Sequence, residues 1–347
     1  MELHQVDHAE FREKGFTVVR AAFHQKELEP LRRRLEEVMA DLPGYEARVA
    51  EAHRAAEEAY PMAGAPDATA HLVEQQRRLP ELPETAVGPR HLRRHNRVYP
   101  RRREPADPVL MRQAAEAARA GDPWRTFDGQ VHSLADFFAE FRELAAHPIV
   151  GDILSRVLAP NVVLWADHIF AKGAYNDEPP YHGANRYHQD GFFQFDRRTV
   201  TCWIALEAVT EDNGPFHYIP LSAGYGQFDF DDLGPDGRGV ELLDQEEVVT
   251  LEPGDMAVHD RWTLHATGAN LTGSSRRGWA VHYTDAEARF GEFARPVADA
   301  TKWHVVTEAG HHVRYGRFSG NLTWPLVCGT QPANGVNMPT SSWSTNG

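Results

Sequence analysis

The second half of the chain, from about residue 161, constrains the fold most, because it consists of short β-branched and aromatic runs separated by turn signals. The runs are VVLWADHIFA, RTVTCWIALEAV, FHYIP, EEVVTL, DMAVHD and RGWAVHYT. The turns carry Gly, Pro, Asn and Asp, as in the tetrapeptides at 212–215 and 252–255. Many short strands with such turns favour an antiparallel sandwich or barrel.

The first half of the chain is predicted to be mostly helical. Residues 16–20 predict a short strand, and apolar residues then recur at helical spacing from Leu28 to Leu42. Further helices are predicted at 45–59, 109–120, 133–146 and 149–158. Because helices come first and strands later, we expect an α+β fold with a mainly β core and helices packed on one sheet.

We expect one domain over residues 1–347. Its predicted parts are an N-terminal strand and helix (1–40), a helical and arginine-rich insertion (41–146), a β-rich core (147–327) and a polar tail (328–347). Within the insertion, residues 61–108 are rich in Pro and Arg with weak periodicity, which is typical of an irregular segment or a lid.

Composition argues against several other classes of protein. The two cysteines, Cys202 and Cys328, are far apart, which disfavours a disulfide framework or a cysteine-based zinc site. The formal net charge of -14 makes nucleic acid and anionic membranes unfavourable partners. The first residues lack the apolar region of a signal peptide, and no run is long enough to span a membrane, so we expect a cytoplasmic protein. Nothing in the sequence indicates an oligomeric state.

A His-x-Asp triplet provides the first candidate metal ligands. Residues i and i+2 of an extended segment point the same way, so His188 and Asp190 can reach one metal ion. The third ligand must come from elsewhere; His265 is the best candidate and His259 is its rival. Two histidines and one carboxylate leave three positions of an octahedral ion open, which suits non-haem Fe(II). The alternative is a His–Asp pair that is satisfied by hydrogen bonds and binds no metal.

The residues after His265 favour the metal hypothesis. Arg276 lies eleven residues beyond this histidine, about where the next antiparallel strand would return beside it. A guanidinium there can bind the far carboxylate of a dicarboxylate with two hydrogen bonds, and Thr267 can add a hydroxyl. With His259 as the ligand, Arg276 would be seventeen residues away, which fits less well.

Two stretches of the core resemble the phytanoyl-CoA dioxygenase-like family of 2-oxoglutarate oxygenases. Residues 188–220 contain the His-x-Asp triplet, a W-x-A-L strand, and N-G-P before a strand that ends in Pro. Residues 253–284 contain G-D, a His followed two residues later by Thr, then Asn, Thr and an Arg pair. The resemblance covers roughly residues 8–40 and 147–285, and residues 41–146 are unlike the family's usual core.

The resemblance implies a double-stranded β-helix, or cupin-like jelly roll, over residues 147–327, with Fe(II), 2-oxoglutarate and O₂ as cofactor and cosubstrates. The implied metal ligands are His188, Asp190 and His265. The implied cosubstrate residues are Arg276 and Thr267 at the C5 carboxylate, Lys172 toward the C1 end, and Thr201 and Trp203 in the pocket wall.

Two details refine this expectation. Halogenating relatives replace the metal-binding carboxylate by a small residue, so the presence of Asp190 predicts hydroxylation and not halogenation. Residues 221–223 read Leu-Ser-Ala where the family usually has Gly-Ser-His, so no substrate contact is carried over to this loop.

The substrate is expected to be a small molecule. Candidates for lining its site are His168, His182, Asn185 and Phe192, although each is also open to a structural role. The arginine-rich stretch 77–103 has two interpretations: a solvated insertion that forms surface ion pairs, or a lid that recognises an anionic or carrier-bound substrate.

The function expected from these features is oxidation of an unactivated C–H bond, in the first place hydroxylation, with release of succinate and CO₂. Natural-product biosynthesis is the expected context. Two alternatives stay open: a jelly-roll metal-dependent isomerase or hydrolase that uses the same three ligands, and a non-catalytic jelly-roll binding protein. Neither alternative needs Arg276.

Overall fold

A computed structural model describes residues 8–59, 130–173, 185–190, 197–225, 242–286, 288, 321 and 325–330. The predicted helix at 109–120, the arginine-rich stretch 77–103 and the tail beyond residue 330 lie outside the described residues, as do His182 and Phe192.

The described helices are α1 (His8–Lys14), α2 (Gln25–Ala40), α3 (Leu42–Ala59), α4 (Leu134–Phe137), α5 (Ala139–Ala145) and α6 (Pro148–Val157). The described strands are β1 (Phe16–Val19), β2 (Gln130–His132), β3 (Val162–Lys172), β4 (Asn185–His188), β5 (Thr199–Ala205), β6 (Phe216–Tyr218), β7 (Glu247–Val249), β8 (Met256–Asp260), β9 (His265–Thr267), β10 (Arg276–Asp285) and β11 (Leu326–Cys328). Among the described helices, none combines the length and apolar character needed to cross a membrane.

The described strands form two antiparallel sheets that pack on each other. The major sheet has seven strands in the order β1-β8-β5-β10-β3-β11, with β2 also paired to β3; the minor sheet has the order β4-β9-β6-β7. Phe16 and Trp203 of the major sheet contact Tyr218 and Phe216 of the minor sheet, with ring centroids 4.3 and 4.9 Å apart. The predicted jelly roll is confirmed.

The helices cover the other face of the major sheet. Strand β5 shows how one sequence serves both faces, because its side chains alternate. Cys202 and Ile204 belong to the large apolar cluster that includes the helices, whereas Trp203 and Ala205 belong to the cluster between the sheets. The expectation of helices packed on one sheet is therefore confirmed.

Residues 130–145 belong to the core, although the sequence placed them in the insertion. Strand β2 pairs with β3 at the edge of the major sheet. The predicted helix at 133–146 is two helices, because Phe138 is extended with φ -130 and ψ 125. At this break Phe138 stacks on Tyr45, whereas Phe141 packs edge-on against Trp279, so the two rings serve different neighbours.

A buried carboxylate joins the helices to the sheet. Asp167 of β3 is 1% exposed. Its oxygens accept hydrogen bonds from the backbone N–H groups of Leu134 (3.1 Å) and Ala135 (3.1 Å), the Trp279 indole (2.8 Å) and the Asn321 amide (2.6 Å). The backbone donors belong to the first turn of α4, where N–H groups have no partner within the helix. One side chain thus connects α4, β3, β10 and residue 321.

We predict that Asp167→Ala lowers the free energy of unfolding by at least about 3 kcal/mol, since several buried donors lose their acceptor together. Urea denaturation followed by circular dichroism measures this loss. The control is Asp152→Ala on α6, which removes an exposed ion pair with Arg156 and should cost at most about 0.5 kcal/mol. Equal losses in the two variants would contradict the role assigned to Asp167.

Candidate metal centre and cosubstrate pocket

Three side chains that can ligate a metal meet between the sheets. Asp190 follows β4, His259 lies on β8, and His265 begins β9. All three are buried, and one ligand atom of each lies within 4.8 Å of the other two. The Asp190 carboxylate is 3.2 Å from Nε2 of His259 and 3.9 Å from Nε2 of His265. Strands distant in sequence therefore bring a carboxylate and two imidazoles together.

The hydrogen bond at Nδ1 of His265 determines which of its nitrogens can bind a metal. Nδ1 lies 2.9 Å from the carbonyl oxygen of Thr263. A carbonyl only accepts, so Nδ1 carries the proton. Nε2 then carries the lone pair, and Nε2 is the nitrogen that faces Asp190. A backbone carbonyl that fixes the tautomer in this way commonly supports a metal-binding histidine.

His259 bridges Tyr218 and Asp190. Its Nδ1 lies 2.9 Å from the Tyr218 hydroxyl, and its Nε2 lies 3.2 Å from the Asp190 carboxylate. Burial raises the pKa of Tyr218 well above its ordinary value, so the hydroxyl keeps its proton and can donate to Nδ1. Nε2–H of His259 is then the donor to Asp190. This histidine is therefore placed to orient the carboxylate, whereas His265 turns a lone pair toward it.

The backbone of His188 lies beside His265. Strands β4 and β9 pair so that the Cα atoms of His188 and His265 are partners, and Asp190 follows two residues later. The side chain of His188 is outside the described residues, so its role as a ligand stays a prediction. Asn185 of the same strand pairs with Thr267, and its side chain is likewise outside the description.

The Asp190 carboxylate is kept ionised by its neighbours. Burial alone would raise its pKa, but the hydrogen bond from His259 and the charges of His265, His259 and His282 hold the pKa of Asp190 well below its ordinary value. The Thr201 hydroxyl adds a 2.7 Å hydrogen bond to Oδ2. An ionised carboxylate beside two imidazoles is a suitable donor set for a divalent transition metal.

A pair of buried cations lies on the same interior face. Arg276 and Lys172 are partners across β10 and β3 and are 1% and 2% exposed. Burial is the main cause that lowers the pKa of Lys172 well below its ordinary value, and the charge of Arg276 lowers it further. Arg276 donates a 2.9 Å hydrogen bond to the carbonyl of Gly214, and its guanidinium carbon lies 5.2 Å from the centre of the Trp203 ring. Two cations this close are stabilised when an anion binds between or beside them.

Two glycines make room for this cation pair. Gly214 has φ +101, and a Cβ there would lie 2.9 Å from Cδ of Lys172 and 3.0 Å from a terminal nitrogen of Arg276. A Cβ at Gly278 would lie 1.8 Å from the Trp203 ring, so this ring lies directly over the Gly278 backbone. The N-G-P turn and the glycine after the Arg pair thus have steric functions in this pocket.

The remaining predicted residues have definite places in the structure. The Thr267 hydroxyl is buried and has no hydrogen-bond partner among the described residues. Thr201, predicted to line the cosubstrate pocket, contacts Asp190 directly. Ser222 of the divergent loop donates to Ile219 and accepts from Leu264, so it supports the segment that leads to His265. His168 lies on β3, where it pairs with Ala280 of β10.

Sequence reasoning missed the contributions of Tyr218 and His282. Tyr218 lies on β6 and binds His259, and His282 lies on β10 with Nδ1 2.9 Å from the Thr201 hydroxyl. The available signal was periodicity, because His282 follows Arg276 at an even spacing and so shares its face of the strand.

The chain matches the family described as Phytanoyl-CoA dioxygenase (PhyH) over residues 11–278. It belongs to this family. Members of this family are iron- and 2-oxoglutarate-dependent oxygenases, with iron as the cofactor and 2-oxoglutarate as the cosubstrate.

The chain is also similar to individual proteins of known activity or structure. A methylphosphonate hydroxylase from Gimesia maris is 28% identical over 149 residues, 42% of this chain and 55% of the hydroxylase. The chain thus spans about half the length of that curated relative. The solved epimerase SnoN, in complex with Fe3+, alpha ketoglutarate and nogalamycin RO, is 19% identical with a TM-score of 0.51, covering 92% of this chain and 96% of SnoN. EctD from S. alaskensis is 16% identical with a TM-score of 0.50, covering 82% of this chain and 79% of EctD. Both structures share the fold.

The described residues fit both groups that the family uses. The Asp190 carboxylate offers oxygen donors for iron, and Nε2 of His265 offers a nitrogen donor. The Arg276–Lys172 pair and the buried Thr267 hydroxyl offer charge and a hydrogen bond for a carboxylate.

We predict that Gly278→Ala weakens 2-oxoglutarate binding by about tenfold, or about 1.4 kcal/mol. The added methyl must displace the Trp203 ring and with it the stacked Arg276 guanidinium. Isothermal titration calorimetry on the Mn(II)-loaded protein measures the affinity. Gly273→Ala is the control, because no atom lies within 4 Å of a Cβ built there. Unchanged affinity in the Gly278 variant would show that the ring does not support this pocket.

Proposed function

We propose that this chain is an iron- and 2-oxoglutarate-dependent oxygenase that oxidises an unactivated C–H bond of a small molecule, with hydroxylation as the outcome and natural-product biosynthesis as the context. One observation carries the proposal: a buried carboxylate–imidazole cluster and a buried cation pair share one interior sheet face. A keto acid with a second carboxylate at its far end matches both sites. An isomerase, a hydrolase or a binding protein would not need the cation pair.

We assign the iron ligands as His188, Asp190 and His265. The tautomer of His265 and the ionised state of Asp190 support this set. His259 then positions Asp190 through its hydrogen bond and is itself held by Tyr218. When bound, iron supplies the dioxygen-activating chemistry that is coupled to conversion of 2-oxoglutarate to succinate and CO₂.

Arg276, Thr267 and Lys172 form the proposed site for the far carboxylate of 2-oxoglutarate. Lys172 was expected near the C1 end, but its pairing with Arg276 favours a shared role at the C5 carboxylate. Trp203 forms a wall of the pocket beside Arg276. Thr201 acts at the metal end, where its hydroxyl holds Asp190.

The presence of Asp190 favours hydroxylation over halogenation, and the hydroxylase from Gimesia maris supports the same outcome. SnoN is an epimerase from nogalamycin biosynthesis, so product analysis by mass spectrometry must distinguish an added oxygen from an inverted centre. The proposal of an anionic or carrier-bound substrate rests on residues 77–103, which are outside the described residues.

We predict that Arg276→Ala weakens 2-oxoglutarate binding by at least about 100-fold, because a buried two-pronged charge-assisted contact is lost. Calorimetry with 2-oxoglutarate on the Mn(II)-loaded protein measures this. The matched control is Arg277→Ala, whose guanidinium pairs with Glu207, and it should change the affinity by at most about twofold. If both variants bind 2-oxoglutarate like the wild type, the cosubstrate site lies elsewhere.

We predict that His265→Gln and His259→Gln separate the ligand from the positioning residue. Loss of a ligand should weaken Fe(II) binding by more than about 100-fold, whereas loss of a supporting contact should weaken it by about tenfold. Glutamine at 259 can still donate to Asp190, which limits its effect further. Anaerobic Fe(II) titration gives both affinities. The reverse order would make His259 the ligand.

A further inference from the structure

A row of three imidazoles crosses the interior face of the major sheet. His282 lies on β10, His168 on β3 and His132 on β2. The ring centroids of His282 and His168 are 5.1 Å apart, and those of His168 and His132 are 5.3 Å apart. We call these three residues the histidine row.

The histidine row begins beside the metal centre. The Thr201 hydroxyl has one proton, which it donates to Asp190 over 2.7 Å. It must therefore accept from Nδ1 of His282, which lies 2.9 Å away. This arrangement fixes the His282 tautomer and leaves Nε2 as an acceptor. Two hydrogen bonds, both made by the Thr201 hydroxyl, thus connect His282 to Asp190.

The histidine row is separate from the cosubstrate pocket. Arg276 lies at the start of β10 and His282 six residues later, about 20 Å along an extended strand. His282 is 5% exposed, whereas His168 and His132 are half-buried. The row therefore leads from the metal centre toward the edge strand β2.

His282 and His168 of the row are polar and uncharged at neutral pH. Burial lowers the pKa of His282 to about 4, and burial together with His282 and His132 lowers the pKa of His168 well below its ordinary value. A neutral imidazole has one donor and one acceptor. Neither nitrogen of His168 has a hydrogen-bond partner within the part of the chain that the structure describes. Its donor and acceptor are thus available to a ligand.

Aromatic rings flank the histidine row. Phe170 lies 5.5 Å from His168, and Trp165 lies 5.4 Å from His282, between ring centroids. Trp165 falls at an irregularity in the β3–β10 pairing, where His282 pairs with Ala166 and the next residue pairs with Leu164. Such a bulge changes the direction in which a side chain points, and here it brings the Trp165 indole beside His282.

We propose that the histidine row binds the primary substrate, and that this substrate is a neutral, ring-containing molecule with hydroxyl groups. The inference rests on the proposed function. A hydroxyl both donates and accepts, as does the neutral imidazole of His168, and the flanking rings suit a ring-shaped partner. An anion would instead favour the Arg276–Lys172 pair at the other end of β10.

The test uses three probes that share a phenyl ring: phenyl β-D-glucopyranoside, phenyl phosphate and phenylacetate. Calorimetry measures their binding to the metal-free protein and to the protein loaded with Mn(II) and 2-oxoglutarate. Because chain residues alone build the row, the glucoside should bind both forms with similar affinity. In the loaded form, where 2-oxoglutarate occupies the Arg276–Lys172 pair, it should bind at least about tenfold tighter than either anion, or about 1.4 kcal/mol.

Variants at His168 test whether the row itself makes the contact. His168→Phe keeps a ring but has no donor or acceptor, so glucoside affinity should fall about tenfold, or about 1.4 kcal/mol. His168→Gln restores a donor and an acceptor and should stay within about threefold of the wild type. His24→Asn is the control, because it removes an exposed imidazole at the start of α2 and keeps a favourable helix-capping residue. Thermal unfolding verifies that each variant is folded.

The outcomes separate the row from the proposed function. Two outcomes overturn the histidine-row proposal alone, when Mn(II) and 2-oxoglutarate still bind tightly. In the first, the glucoside shows no saturable binding; in the second, its affinity is unaffected by His168→Phe. Glucoside binding that depends on His168, without Mn(II) or 2-oxoglutarate binding, overturns the proposed function and leaves the row as a binding site. Preferential binding of phenyl phosphate or phenylacetate to the loaded form favours an anionic substrate and contradicts the row proposal.

Discussion

Burial of charge between the two sheets is the constraint on which the rest of this structure depends. Asp190, Arg276 and Lys172 are 8%, 1% and 2% exposed, and burial of an ion costs several kcal/mol when no partner offsets it. Asp190 is offset by the imidazoles and by Thr201. Burial and the charge of Arg276 lower the pKa of Lys172, and a bound anion would favour the charged form of this lysine as well as that of Arg276. The pocket therefore selects its ligand by charge as well as by shape.

These charged side chains stay in place because the opposite face of their strands packs against the apolar cluster under the helices. On β10, the inward residues alternate with Trp279, Val281 and Tyr283, which belong to the apolar cluster under the helices. The Trp279 indole donates to Asp167, which also holds the first turn of α4. Packing on one face thus limits how far Arg276 and His282 can move on the other. Precise sites are best built on strands whose second face is locked in this way.

The sequence was most informative where a local pattern encodes the chemistry. The His-x-Asp triplet and the spacing from His265 to Arg276 depend on one strand or on two consecutive strands, so they can be read without the fold. The short strands predicted an antiparallel sandwich or barrel, and the family resemblance implied the jelly roll. The contact of Asp190, the last residue of the triplet, with His259 could not be predicted from a local pattern. Strands β4 and β8 belong to different sheets.

Contacts across strands account for most of what the sequence did not predict. The pairing of Lys172 with Arg276 depends on the register of β3 against β10. The contact between His168 and His132 depends on a three-residue edge strand that has no periodicity to detect. The break at Phe138, where the backbone is extended, divides the helix predicted at 133–146, and helical propensity does not reveal it.

Strand β10 explains how one sheet face can hold a cosubstrate site, a metal centre and a polar wall without overlap. Its inward positions run Arg276, Gly278, Ala280 and His282, so charged and polar side chains stand at the ends and small residues in the middle. The gap at Gly278 is filled by Trp203, which separates the cation pair from the rest of the face. Thr201 pairs with His282 and donates a hydrogen bond to Asp190, so it connects His282 to the metal centre. Because successive inward residues are about 7 Å apart, the cosubstrate site and the histidine row take their side chains from different positions of one strand.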